Sequence, residues 1–131
     1  MLQRKKLGNF KPKGRQVKSE AIEELYKIIG NNNDLKRDML IEYLHLVQDA
    51  NGHISSNLME ALSNEMKLPL VEVWEVASFY DHFDLIKDNE KPPPKKTIRV
   101  CNSLSCFLNG SSKLIKELNE DGLINNDVRI I

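Results

Sequence analysis

Cys101 and Cys106 lie in the run Arg99-Val100-Cys101-Asn102-Ser103-Leu104-Ser105-Cys106, with Gly110 shortly after, and they are the only two cysteines among 131 residues. A C-x4-C loop at the end of a strand can bend back and present both sulfurs to one iron. A [2Fe–2S] cluster usually takes four thiolates, so the loop supplies half of a ligand set. Coordination holds such sulfurs as thiolates. The backbone N–H groups of Asn102, Ser103, Leu104 and Ser105 are placed to hydrogen-bond bridging sulfides, which favours the reduced, more negative state. Gly110 permits a tight turn into whatever follows.

The spacing is not that of a plant-type ferredoxin, because Asn109 stands where a third cysteine would fall. Nor is it the short-spaced pair of a zinc site. In a chain without signs of export, two cysteines read as ligands or redox thiols rather than as a structural disulfide. The residues alone leave three arrangements open: a metal-ligand pair, a regulatory dithiol, and two chains pooling four sulfurs.

Little else in the chain suggests chemistry. There are no paired carboxylates, no Ser-His-Asp order and no Gly-rich phosphate loop. His45 and His53 read as packing or turn residues, and His82 is the one histidine with a site role to consider. Trp74, Phe79, Tyr80 and Phe83 have helical spacing and read as core or interdomain packing.

The elements that must position the cysteines follow from periodicity. Residues 1–16 read as an extended basic arm, with Pro12 and Gly14 discouraging regular structure. Ala21, Ile22, Leu25, Ile28 and Ile29 predict a helix over 17–29, stopped by Gly30 and Asn31-Asn32-Asn33. A second helix is expected from an Asp34 cap, carrying Leu35, Met39, Leu40, Tyr43, Leu44 and Val47 and ending at Asn51-Gly52. Ser55 or Ser56 would cap a third, and Pro69 would sit in the first turn of a fourth that runs to Tyr80. Pro92-Pro93-Pro94 lies in a linker over 88–96. Thr97–Val100 and Val128–Ile131 read as strands around a short helix capped at Ser111 or Ser112, which implies a parallel β-α-β unit. The expected fold class is α+β: a bundle of about four helices over 17–87, then an incomplete two-stranded domain over 97–131.

Hydrophobic content of 40% and charged content of 29% suit a soluble globular chain. No apolar run approaches the roughly 18 residues that span a bilayer, and the N-terminus lacks the apolar core of a secretory signal. A cytoplasmic setting is expected, at most on the cytoplasmic face of a membrane assembly. Charges balance at 19 basic and 19 acidic. The first 20 residues are strongly basic, yet only Phe10 interleaves with the basic residues, so no nucleic-acid partner is expected.

Three stretches together carry a family resemblance: Val47-Gln48-Asp49-Ala50-Asn51-Gly52-His53-Ile54-Ser55, then Leu68-Pro69-Leu70-Val71-Glu72-Val73-Trp74-Glu75-Val76-Ala77-Ser78-Phe79-Tyr80, then Arg99 to Gly110. The chain resembles the 24 kDa subunit family of respiratory complex I, a thioredoxin-like [2Fe–2S] ferredoxin. His82-Phe83-Asp84-Leu85, the proline-rich linker and Asn102-Ser103-Leu104-Ser105 are most similar to relatives in NAD-dependent formate dehydrogenases and hydrogenases. The resemblance implies one-electron transfer beside an FMN- and NADH-binding flavoprotein, with Cys101 and Cys106 as metal ligands and no active site of its own. It also implies a second pair, C-x3-C, beyond the strand ending at Ile131. The alternative is a cluster-free structural or assembly module of the same complex; a third reading is a thiol-disulfide redox protein.

Overall fold

A computed structural model describes residues 14–30, 35–122 and 127–131 of the chain. They fall into two compact units, Met1–Lys91 and Pro92–Ile131.

In the first unit, helix α1 spans Ser19–Ile29 and buries Ala21 and Leu25. It starts two residues later than its apolar spacing suggests, because Lys18 is extended at ψ 135°. The basic arm through Lys13, and the expected Asn31–Asn33 stop and Asp34 cap, lie outside the described residues. Entry to the second helix is a 3-10 turn at Arg37–Met39, and α2 proper runs Leu40–Asn51. Met39 is therefore an exposed entry residue rather than part of the buried stripe. Gly52 closes α2 in the left-handed region at φ 72°, where a residue with a Cβ is strained.

A two-residue strand β1 (Ile54–Ser55) follows, and then helix α3 (Ser56–Met66). The Ser55 hydroxyl accepts from the Leu58 N–H at 3.3 Å, so the expected serine cap forms. Helix α4 runs Leu70–Phe79. Pro69 is its N-cap rather than a member of its first turn, since ψ 138° leaves it extended.

Strand β2 (Leu85–Ile86) pairs in parallel with β1, Ile54 opposite Leu85 and Ser55 opposite Ile86. Periodicity gives no hint of this bridge, because two residues are too few to show alternation. Gln48, on α2 and buried, fastens it: its amide donates to the Gly52 carbonyl at 3.0 Å and accepts from the Asp84 N–H at 3.0 Å.

The four helices enclose one core in which Leu25, Leu44, Val47, Ile54, Leu58, Met59, Leu62 and Val73 are almost fully buried. Phe83 joins it, while Phe79 is 79% exposed and is no part of it.

The second unit holds β3 (Lys96–Ile98), helix α5 (Leu104–Leu108), helix α6 (Ser111–Glu120) and β4 (Val128–Ile130). β3 and β4 pair in parallel with Ile98 opposite Ile130, so the connection is the crossover that the element order implies. The cysteine segment is not wholly a loop: α5 occupies its second half and continues past Cys106.

Candidate functional site

The strand pair fixes the backbone up to the first cysteine. Ile131 N–H donates to the Ile98 carbonyl at 3.0 Å, and Val100 N–H donates to the Ile131 carbonyl at 2.8 Å. Main-chain pairing thus continues two residues past β3 to Val100, immediately before Cys101. Arg129 Nε also reaches Thr97 Oγ1 across the pair at 2.8 Å.

The second cysteine is held by a helical turn. Ser103 is the N-cap of α5, extended at ψ 163°, and its carbonyl accepts from the Phe107 N–H at 2.8 Å. That turn carries Cys106 round toward Cys101. Gly110, at φ 93°, then takes the chain from α5 into α6 as the N-cap of α6. The tight turn expected of Gly110 is the one it makes.

As a thiol, Cys101 donates to Ser103 Oγ at 3.3 Å. As a thiolate it accepts from the Ser103 hydroxyl, from the Ser103 backbone N–H and from the Cys106 thiol. In that order of size, these hydrogen bonds pull the Cys101 thiol down from its ordinary value to about 7, against a small opposing effect of burial. Cys101 is exposed and Cys106 half-buried, and neither is in a disulfide.

Cys101 is biased toward the charged form that metals require, and the geometric partner of its sulfur is the Ser103 hydroxyl. The Ser103 hydroxyl is the contributor that spacing alone does not single out, although a serine two residues after a cysteine is the signal that would have found it. Among the described residues, no group of three or more His, Cys, Asp or Glu side chains is placed to hold a metal ion. Among the described residues the two cysteines are therefore not part of a larger group of such side chains.

The histidines belong to the helical unit. His45 and His82 face each other with ring centroids 5.0 Å apart, and both rest against Phe83, at 4.9 and 5.4 Å. This is aromatic packing around a buried phenylalanine. His53 sits in the bend between Gly52 and β1. Exposed Phe79 and Tyr80 join Ile41, Glu75 and Val76 in lining a shallow cleft of about 280 Å³ in the helical unit.

Comparison with known proteins matches the same organisation. An NADH-quinone oxidoreductase subunit of Aquifex aeolicus (strain VF5) is 37% identical over 83 residues, covering 63% of this chain and 49% of that protein. The HndA subunit of the NADP-reducing hydrogenase of Solidesulfovibrio fructosivorans is 29% identical over 85 residues, covering 65% of this chain and 47% of its own length. The corresponding NADH-quinone oxidoreductase subunit of Buchnera aphidicola subsp. Baizongia pistaciae is 32% identical over 91 residues, with 70% and 50% covered. The chain spans about half the length of the curated relatives it matches. No helix among the described residues is long and apolar enough to cross a membrane. The family model described as thioredoxin-like [2Fe-2S] ferredoxin matches residues 25–128, through both units and across both cysteines, and the chain belongs to that family.

Proposed function

We propose that this chain is an electron-transfer component of an NADH- or formate-linked oxidoreductase, with Cys101 and Cys106 ligating one iron of a [2Fe–2S] cluster. When bound, such a cluster takes up and passes on one electron at a time. The observation that carries this reading is the family match across both cysteines, with Cys101 drawn toward thiolate chiefly by Ser103.

Each residue then has a physical task. The β3–β4 pairing, continued to Val100, fixes where Cys101 leaves the sheet. The α5 turn carries Cys106. Ser103 supplies two donors that stabilise negative charge on sulfur, the direction that favours a reduced cluster. The other two thiolates come from a cysteine pair outside this sequence. The proposed partner is an FMN- and NADH-binding flavoprotein in a cytoplasmic assembly; the names of the similar proteins, subunits of NADH- and NADP-linked enzymes, support this.

The test is anaerobic reconstitution with ferrous iron and sulfide, using dithiothreitol as an external dithiol to complete the ligand set. The expected result is equal iron and acid-labile sulfide, an EPR signal on one-electron reduction, and loss of both in Cys101→Ser and in Cys106→Ser. Iron retained equally by the two variants would overturn the assignment. The second reading is a cluster-free assembly module of the same complex. It predicts a protein that stays colourless and still binds the flavoprotein.

A further inference from the structure

We propose that Arg15 is an acid-released strap, which holds the stretch ahead of α1 against α3 through the buried Glu60 carboxylate and lets go when that carboxylate is protonated. The device belongs to the helical unit, so it stands whether or not the chain binds a cluster.

One guanidinium is shared by three side chains. Arg15 lies four residues before α1. Its Nε pairs with Glu60 Oε1 at 2.9 Å, one terminal nitrogen donates to Asn57 Oδ1 at 3.1 Å, and the other pairs with Asp88. Asn57 and Glu60 are three apart on α3 and so share a face. Asp88 sits in the turn after β2, which closes on itself: the Glu90 N–H donates to the Lys87 carbonyl at 3.1 Å, and the Lys87 N–H donates to the Glu90 carboxylate at 2.9 Å. Of residues 14–18 only Val17 packs against the core, and the others are exposed, so charge carries much of the attachment.

Glu60 is the trigger. Its side chain is 5% exposed, and its second oxygen, Oε2, is buried with no hydrogen-bond partner among the described atoms. A buried carboxylate with an unmet oxygen is unfavourable when charged and far less so when neutral. Burial raises Glu60 above its ordinary 4.5; Arg15 opposes this, Asp88 adds to it and Lys18 opposes it. Asp88 is held below its ordinary value by its hydrogen bond with Arg15, so acid reaches Glu60 first. The other charged groups on the elements around α3 are engaged elsewhere or exposed. Glu65 receives the Tyr26 hydroxyl, Glu72 pairs with Arg37, Glu24 accepts from Asn51, and Glu20, Glu23, Lys27 and Glu75 are exposed. With Glu60 neutral, Arg15 keeps only Asn57 and Asp88, and an ion pair as exposed as Arg15–Asp88 holds little. The core responds with the opposite sign. A raised value means that the folded form holds the proton more tightly than the unfolded form, so Glu60 adds stability below its folded value and loses that contribution as pH rises through it. Acid thus opens the strap while it relieves the core.

The test is nuclear magnetic resonance of the metal-free full chain. The Glu60 side-chain carboxyl is followed by its carbon shift, and Arg15 by the protection of its Nε–H against exchange, relative to free arginine at the same pH. Glu60 should titrate above 4.5, and the Arg15 protection should fall about tenfold as pH drops through the same midpoint, the loss of one charged hydrogen bond. Urea unfolding over that range should show a gain in stability that Glu60→Gln lacks. Glu60→Gln, neutral at every pH, should leave the Arg15 protection low and flat. Arg15→Gln should push the Glu60 midpoint further up, because an opposing charge is gone, and this variant decides the matter if Glu60→Gln does not fold. A Glu60 midpoint at or below 4.5, or an Arg15 protection that does not follow it, would overturn the strap. So would a Glu60→Gln chain that still sheds protection in acid, or a Glu60 midpoint unmoved by Arg15→Gln.

Discussion

Ser103 shows how far one small residue can set the chemistry of a sulfur. Its hydroxyl is the largest cause of the lowered Cys101 value and its N–H the second. The folded thiol sits near 7 rather than at its ordinary 9, so the thiolate is present above about pH 7 and is lost as pH falls through that value. Alkylation of Cys101 in the metal-free chain, followed by fragment mass spectrometry to separate it from Cys106, should fall to half its plateau rate near pH 7. Ser103→Ala should move that midpoint upward, toward the ordinary cysteine range. An unchanged midpoint would show that the hydroxyl does not act on sulfur. The cysteines were legible in the sequence as a candidate site because residue type and spacing announce sulfur chemistry. The hydroxyl was not, because serine is common in turns and its role depends on a rotamer that spacing does not reveal.

Periodicity found the helices and misplaced their ends. Ser55 and Gly52 were readable because capping chemistry is local: a serine oxygen reaches the N–H three residues on, and a glycine takes a positive φ. The 3-10 entry at Arg37–Met39, the extended Pro69 and the β1–β2 bridge depend on neighbours distant in sequence, and so left no local trace. The helices meet around Leu62, which is 1% exposed. Leu62→Ala should cost about 3 kcal/mol in urea unfolding, the usual loss of a buried leucine with its cavity. Ser55→Ala, removing only a cap, should cost about 1 kcal/mol. Equal costs would mean that Leu62 is not core. Between α1 and α3, the Tyr26 hydroxyl donates to the Glu65 carboxylate. That hydrogen bond, then burial, pushes the phenol up from 10 to about 12. The folded form therefore holds this proton more tightly than the unfolded form. The contribution is complete below pH 10 and is lost as pH rises through 12. Ultraviolet titration should show one phenol ionising late, and Tyr26→Phe should abolish that late step.

At the scale of the molecule, the two units differ in what keeps them folded. The helical unit closes a core around Leu25, Leu44, Leu58 and Val73, and its α+β partner was legible in outline from the strand-helix-strand order. The second unit is of another kind. Among its described residues only Ser111 is buried, and the Ser111 hydroxyl has no hydrogen-bond partner among the described atoms. Leu104, Phe107, Leu108, Leu114 and Ile131 are all about half exposed or more. Its sheet has two strands, and a two-stranded sheet is marginal in water without a packed face. A sulfur pair hung on such a sheet is only as well placed as Val100 and the ladder before it. Hydrogen exchange of the metal-free chain should therefore separate the units. Amides of α2 and α3 around Leu44, Val47 and Leu62 should exchange slowly, at rates set by unfolding of the core. The Val100 and Ile131 amides should exchange much faster, because local opening of the pair exposes little apolar surface. Equal protection in both units would refute this division. Protection of Val100 and Ile131 that rises on metal loading, with α2 and α3 unchanged, would show that ligation supplies the order that the second unit's sparse core does not.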